Sequence, residues 1–498
     1  MKHTNTASSL HRCRKALVAC LTFACAGSAL ALNGPPGEFD PSFSGGKVVT
    51  DFSNAVDLIR AIAPMNDGRF VAAGGAIGPN ASGPGSSPNL AVARYLPDGR
   101  LDDTFGTNGK FQFDLGGGTD DVYGLKVLPD GSVLVSGELS PQAHSDFFVM
   151  KLRPNGTADT TFGASNGAGA RTGFVRLDVV GPGTHDEGRV LAVQRDGKII
   201  VAGNTFKPAG GFSYRRVTVA RFTADGQLDT TFGESDGAGG RRGYVVAGNQ
   251  FAAQPQTSDY VTSIAMTQSG ALPADDKITV SGYTDSSNNG FLVRYTSDGQ
   301  PDLTFGGGTG HALTSYSSSG GVARGLSDIM GARIDNAGRY VVVGNGGDRG
   351  FAFVRFLSNG AQDMTFGTNA SGRTLVKVSS VSNYDEPSAI ALQGNGKIVA
   401  SGYATTVVPG GTAHNDFFVV RLDANGVADP TFGDGQGRKV ASIATEKDQS
   451  FAIAVEPSGN LLVGGYVQRA GAAQTDFAVA RLFGDPDRIF ADGFQAAF

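Results

Sequence analysis

Ala220-Arg-Phe-Thr-Ala-Asp-Gly-Gln-Leu-Asp-Thr-Thr-Phe-Gly233 reads as the end of an apolar strand, an Asp-Gly turn and a compact Asp-Thr-Thr-Phe corner, with a cation, Arg221, eight residues before Asp229. The corner recurs. Asp40-Pro-Ser-Phe43, Asp102-Asp-Thr-Phe105, Asp159-Thr-Thr-Phe162, Asp302-Leu-Thr-Phe305, Asp363-Met-Thr-Phe366 and Asp429-Pro-Thr-Phe432 bring the copies to seven, with phenylalanine spacings of 57 to 73 residues. Self-similarity at such a period marks a repeat architecture.

Between corners the same four short runs return. In one repeat they are Gly372 to Val378, Ala389-Ile-Ala-Leu392, Lys397-Ile-Val-Ala400 and Phe417-Phe-Val-Val-Arg421. Val, Ile, Phe and Ala runs this short, separated by Asp-Gly, Asn-Gly and Gly-rich turns, are strands joined by hairpins. A four-stranded unit cannot bury both of its faces alone, and radial stacking is the usual solution for antiparallel units. The expected fold is therefore all-β, a seven-bladed β-propeller of four-stranded antiparallel blades. Small residues dominate one run, as in Ala61-Ile-Ala63, Ser263-Ile-Ala265, Ala389-Ile-Ala391 and Ala452-Ile-Ala454, which assigns it to the axis where blades converge.

The closure of the ring follows from one spacing. A basic residue precedes the corner aspartate by eight positions in Arg94/Asp102, Lys151/Asp159, Arg221/Asp229, Arg294/Asp302, Arg355/Asp363 and Arg421/Asp429. Arg481 has Ile489 where its aspartate belongs, while Asp40 has no arginine before it. Each is what the other lacks, so the strand Gly46 to Phe52 is expected to complete the last blade beside Phe477 to Leu482. Shared pairing of this kind removes two free sheet edges. The regular offset makes these pairs strand-to-turn salt bridges, with the phenylalanine packed between blades.

The combination Leu228-Asp-Thr-Thr-Phe-Gly233, an apolar strand, Asp196-Gly-Lys-Ile-Ile-Val-Ala-Gly203 and Asp416-Phe-Phe-Val-Val-Arg421 resembles the delta-60 repeat family. The resemblance spans Asp40 to Leu482 and implies a propeller of uncharacterised function. Two repeats depart from the pattern: Ala271 to Asp275 is inserted in one hairpin, and Ser44 stands in place of a motif glycine.

The first 31 residues read as a secretory signal peptide, with Arg12, Arg14 and Lys15 before an apolar run from Ala16 to Ala26 and small residues at Ala29 and Ala31. Leu17-Val-Ala-Cys20 resembles a lipoprotein cleavage box, but too few residues separate Lys15 from Cys20 for an apolar region, so lipid anchoring ranks second. Cys13, Cys20 and Cys25 all lie in that leader, which leaves the remainder without disulfide, thiolate-metal or thiol chemistry. No later stretch approaches the ~20 consecutive apolar residues of a membrane helix. A net charge of -5, with no Lys/Arg cluster, lacks the excess that phosphate backbones attract, so nucleic acid is not an expected partner. The expected location is secreted, periplasmic or extracellular, as a monomer. Residues 483–498 form a tail outside the repeats, including Arg488-Ile-Phe-Ala-Asp-Gly-Phe494.

Catalytic signatures are sparse. With no tryptophan, the WD-repeat, sialidase and tryptophan-docked quinoprotein patterns all lack their defining residue. Four histidines follow the leader: His144, His185, His311 and His414. His144 and His414 occupy equivalent positions in repeats that are not neighbours in a ring, which argues against a shared metal. No Gly-x-Ser-x-Gly elbow has a triad around it.

A second ring is more informative. Eleven residues before each inner hairpin glycine stand Asp57, Asp120, Asp186, Asp259, Asp385 and Asp448; the fifth repeat has Ser327 there, with Asp328 adjacent. One reading is that aspartate nucleates the turn entering each blade through local backbone hydrogen bonds. The other is an acidic collar at a channel mouth that binds a cation or basic group, with Ca²⁺ favoured by the all-oxygen donor set. No other cofactor is expected. Loops of variable length (75–88, 204–216, 404–415, 179–187 and 247–259) emerge on the same face, where binding usually resides. The leading function is a non-enzymatic propeller binding an extracellular glycan, peptide or protein surface. The alternatives are a hydrolytic propeller using channel-mouth carboxylates and a surface spacer without a specific ligand.

Overall fold

A computed structural model describes residues 34–485 except 53–54, 78–86, 115–117, 141–143, 166, 168–169, 210–211, 248–256, 269–271, 286–288, 316–325, 347–349, 369–370, 378–384, 408–412 and 472. The leader and all but the first residues of the tail, including Arg488 to Phe494, lie outside the described residues, as do the tips of several variable loops.

Seven four-stranded antiparallel sheets make up the fold, with no α-helix among the described residues. Blade one, inner to outer, runs Asp57–Pro64, Phe70–Ile77, Pro88–Tyr95 and Lys110–Phe113. Blades two to six repeat that order, beginning at Asp120, Asp186, Asp259, Asp328 and Glu386. Blade seven takes three strands from the carboxy-terminal end, Asp448–Val455, Leu461–Gln468 and Thr475–Leu482, and its outer strand, Lys47–Thr50, from the beginning of the described chain. The closing register sets Lys47 opposite Ala480 and Thr50 opposite Phe477. Gly37 and Phe483 reinforce it, each donating its amide to the far end of the chain, at the carbonyls of Phe483 (2.7 Å) and Glu38 (2.8 Å).

Sequence repeat and blade are consequently out of phase. The run that opens each repeat belongs to the preceding blade: Arg373–Val376 pairs with Phe351–Phe356 of blade five, not with the strands that follow it. Each repeat is thereby stitched to its neighbour by main-chain hydrogen bonds.

The core lies between blades, in seven apolar layers. Phe232, for instance, packs with Val217 and Val219 of blade three and Val261 and Ile278 of blade four, while Phe43 joins Phe70 of blade one to Leu462 and Phe477 of blade seven. Every corner phenylalanine is buried. Over six of the seven lies the guanidinium of the blade, 4.8 Å away for Arg94/Phe105, 4.7 Å for Arg421/Phe432 and 4.6 Å for Arg481/Phe43; blade two has Lys151 in place of arginine.

The same guanidinium holds the corner aspartate. Arg94, Arg221, Arg294 and Arg355 each place Nε 2.8 Å from Oδ2 of Asp102, Asp229, Asp302 and Asp363, and Arg421 does so at 2.9 Å from Asp429. Lys151 reaches Asp159 at 3.3 Å, and Arg481 meets Asp40 at 2.9 Å across 441 residues of sequence. The other carboxylate oxygen accepts from the threonine or serine two positions on, as Thr231 donates to Asp229 through its amide (3.0 Å) and hydroxyl (2.7 Å). A further guanidinium nitrogen donates to a carbonyl in the next blade, from Arg294 to Ser358 at 2.6 Å and from Arg481 to Pro97 at 2.5 Å. One side chain thus ties strand, corner and neighbouring blade together.

Where Ser44 replaces the motif glycine, the link changes chemistry. Elsewhere that glycine donates its amide across the junction, as Gly233 does to the Asp298 carbonyl at 2.9 Å; Ser44 donates its hydroxyl to the Asp98 carbonyl at 3.0 Å.

Candidate functional site

The ring aspartates stand at the entries of the inner strands, but they do not form an open collar. Asp57, Asp120, Asp186, Asp259, Asp385 and Asp448 are all at most 2% exposed; Asp328 is half-buried, and Ser327 holds its ring position. Their oxygens take main-chain donors. The amides of Phe52, Val179 and Ile443, just past the outer strand of the preceding blade, donate to Asp57, Asp186 and Asp448 at 2.8 Å each, and Phe417 also donates to Asp448. Ser140 donates to Asp120 at 3.4 Å. At Asp57, Asp186 and Asp448 the carboxylate therefore secures the loop that crosses from the preceding blade, whereas Asp120 holds a loop of its own blade. Burial, opposed by those amides, pushes Asp57 and Asp448 up to about 7 and Asp186 up to about 6; burial likewise takes Asp259 to about 7 against the pull of Arg216.

What faces the axis lies one and three residues further along. Every inner strand carries a β-bulge at the same place, breaking register between Ile59 and Ala61, Val122 and Gly124, Gly188 and Val190, and equivalently in the other four blades. The bulged residues are Arg60, Tyr123, Arg189, Thr262, Met330, Ser388 and Phe451, all half-exposed. A bulge unpairs one residue and re-aims its side chain, and here four of the seven, Arg60, Tyr123, Arg189 and Phe451, meet across blades.

With Arg215, Tyr260 and Tyr283 they make a connected cluster across five blades. The Arg60 guanidinium lies 5.4 Å from the Phe451 ring and 5.2 Å from Tyr123, whose other neighbour is Arg189 at 4.4 Å. Carboxylates hold the cations: Asp121 meets Arg60 at 3.3 Å, and Glu187 meets Arg189 at 2.7 Å and Arg215 at 3.2 Å. Arg215 covers Tyr260 at 4.8 Å, and Tyr260 stacks on Tyr283 with centroids 4.8 Å apart and planes 10° from parallel. Tyr123 donates its hydroxyl to Glu138 at 3.0 Å. Burial first, then the neighbouring Glu187, raises Glu138 above the usual carboxylate range, while burial raises Asp121 against Arg60. In blade six Tyr403 donates to Glu386, and in blade seven Tyr466 packs against Phe451 and donates to Gln449 at 2.7 Å.

Deeper along the inner strands, Lys126 of blade two and Arg333 of blade five are both lowered by burial, and Lys126 is lowered further by the charge of Arg333 three blades away. That interaction runs across the axis.

The structure also juxtaposes His144 and His185, with ring centroids 5.4 Å apart at the junction of blades two and three; His414 stays with its own Asp416 at 3.4 Å. Sequence reasoning passed over the axial cluster because those positions differ from repeat to repeat. The usable signal was that contrast itself, a variable position embedded between uniform ones.

Five repeats, residues 66–105, 128–162, 194–232, 274–305 and 393–432, match the model described as "Domain of unknown function (DUF5122) beta-propeller". The match supports an uncharacterised β-propeller repeat family. No curated protein matches the chain. Among solved structures, Sqt1 from Chaetomium thermophilum is similar at 11% identity and a TM-score of 0.41, covering 93% of this chain and 100% of its own. The polysaccharide lyase Uly1 is similar at 9% identity and a TM-score of 0.40, covering 88% of this chain and 91% of its own.

Proposed function

We propose that the chain is an exported, non-enzymatic binding propeller that takes a glycan, peptide or surface component at the loop-side mouth of its axis. One observation carries the reading. Arg60, Tyr123, Arg189, Arg215, Tyr260 and Tyr283 form a partly exposed, preordered cluster where the loops of variable length emerge, on a scaffold whose other repeated charges are engaged in holding blades together. Tyrosine and arginine present large contact area, hydrogen-bonding tips and little rotamer freedom to lose, which is why they dominate binding hot spots. Export rests on the leader sequence. A glycan and peptide array probed with the full protein should give hits that Arg189→Ala and Tyr283→Ala abolish without lowering the melting temperature. Hits that survive both substitutions would refute the placement.

One feature favours a second reading, hydrolysis of a glycosidic bond. Glu138 is raised by burial and by Glu187, and Glu187 is held by two arginines, a pairing of unlike carboxyls that suits an acid and its charged partner. Turnover of a glycoside with a bell-shaped pH profile, whose basic limb vanishes in Glu138→Gln, would select this reading over binding alone.

A further inference from the structure

Among the described residues, two blade junctions gather three carboxylates each. At the junction of blades seven and one, Asp51, Asp57 and Asp476 each offer a carboxylate oxygen within 4.8 Å of the others. At the junction of blades two and three, Asp146, Asp178 and Asp186 do the same. The two sets are structurally equivalent: one aspartate just past an outer strand, one beginning the next inner strand, and one five residues before the hub cation of the third strand.

The remaining junctions show what this last position does. It is Asn89, Arg216, Asn289, Gly350 and Asp416 in the other blades. In the junction of blades three and four the charge of Arg216 offsets that of the buried Asp259, so the fold supplies its own cation there. In the junction of blades six and seven Asp416 faces Asp448, but Ser442 precedes the Ile443 amide donor where Asp51 precedes Phe52 and Asp178 precedes Val179, so no third acid arrives.

At the two triads the compensation is incomplete. One guanidinium serves each: Arg469 on Asp476 (2.7 Å) and Asp51 (2.6 Å), and Arg176 on Asp146. Three carboxyl groups share one guanidinium, so their charge is not balanced when all of them ionise. Asp57 and Asp186 are fully buried; Oδ1 of Asp57 has no hydrogen-bond partner, and Oδ1 of Asp186 has none of good geometry, the Thr205 hydroxyl being the side-chain donor beside that carboxyl. A buried carboxylate oxygen without a donor has lost its hydration uncompensated, and it sits among oxygens spaced as ligands of one ion would be. Donors at ~2.4 Å from a common Ca²⁺ lie at most ~4.8 Å apart.

We propose that these two junctions are divalent-cation sites, each built from three aspartates and selective for Ca²⁺ because only hard oxygen donors converge. The ion would pin the crossing loop to both blades, and one of the two sites would lock the closing blade to the first. This inference is independent of what the axial mouth binds.

The test is calorimetric titration of the full protein, stripped with EDTA and then exchanged into chelator-free buffer, with Ca²⁺ alone, and melting curves with and without the ion. Two equivalents should bind and the melting temperature should rise. Asp178→Asn and Asp51→Asn alter exposed side chains and should fold normally; each should remove one equivalent or weaken it roughly tenfold or more. Asp186→Asn and Asp57→Asn should do the same and abolish the corresponding Ca²⁺-dependent rise in melting temperature. Absence of binding heat and of any melting shift would overturn the proposal, as would stoichiometry unchanged in all four variants. A single equivalent would overturn it for the junction whose variants leave that equivalent intact.

Discussion

Replacing Asp40 by alanine tests whether the two ends of the chain share one cooperative structure. Asp40 is 5% exposed, receives Nε of Arg481 at 2.9 Å, and accepts the Ser42 amide (2.9 Å) and hydroxyl (2.7 Å). Its loss leaves Arg481, itself 7% exposed, with the Pro97 carbonyl, the Ser42 hydroxyl at 3.0 Å and a distant Glu456 at 3.7 Å as compensation. Removing one partner of a buried charge pair typically costs ~3–5 kcal/mol, and the residual Glu456 argues for the lower end, about 3 kcal/mol. With ~2.1 cal/mol/K of unfolding entropy per residue over ~450 folded residues, that amounts to a fall of roughly 3 °C in melting temperature. Differential scanning calorimetry is the appropriate assay. Asp229→Ala, which breaks the same geometry between residues only eight apart, supplies the comparison. The two variants should fall by similar amounts. An Asp40→Ala protein melting with the wild type, while Asp229→Ala falls, would show that the amino-terminal segment is not part of the ring.

Two further predictions concern pH and backbone. Burial would raise Asp102, Asp229 and Asp429, but threonine hydrogen bonds and neighbouring cations outweigh it and hold all three at about 2. A depressed carboxyl stabilises above its unfolded value near ~4, so stability contributed by these hubs should be lost as pH falls from about 4 to about 2. Asp259, raised to about 7, has the opposite sign: its buried charge should cost stability as pH rises from about 4 through 7, and Asp259→Asn should flatten that part of a melting-versus-pH curve. A variant whose curve parallels the wild type would refute the assignment. Gly360 has φ +87° and a Cβ there would come within 2.9 Å of the Phe305 ring and the Gly306 nitrogen, whereas Gly237, at φ +79°, has nothing within 4 Å. Thermal melts should show Gly360→Ala losing clearly more than the ~1 kcal/mol expected for Gly237→Ala; equal losses would mean that the corner packing is looser than described.

The hub was legible because it repeats. An eight-residue offset seen six times made the missing partners of Asp40 and Arg481 conspicuous, and the fold places them 2.9 Å apart. The ring of Asp57, Asp120, Asp186, Asp259, Asp385 and Asp448 was legible as a ring, but its direction was not. Side chains alternate along a strand, and whether a strand entry shows its odd or even positions to the axis depends on the bulge, which no spacing announces. Arg60 and Tyr123 were hidden for the reverse reason, since they differ between repeats and drop out of any self-comparison. The two aspartate triads needed proximity across a junction. Asp476 and Asp57 lie in different blades at opposite ends of the chain, and only the closed ring brings them together.

Ring closure itself is most directly measured by engineered cross-linking. Val49 stands opposite Ala478 in the closing register, and the three native cysteines can be replaced by serine to leave only the designed pair. The Val49→Cys/Ala478→Cys protein should form an intramolecular disulfide under mild oxidation, detected as a non-reduced gel shift without dimer and a raised melting temperature. Two free thiols in a monomer that folds normally, or bonds formed only between molecules, would contradict a circle closed by the first strand.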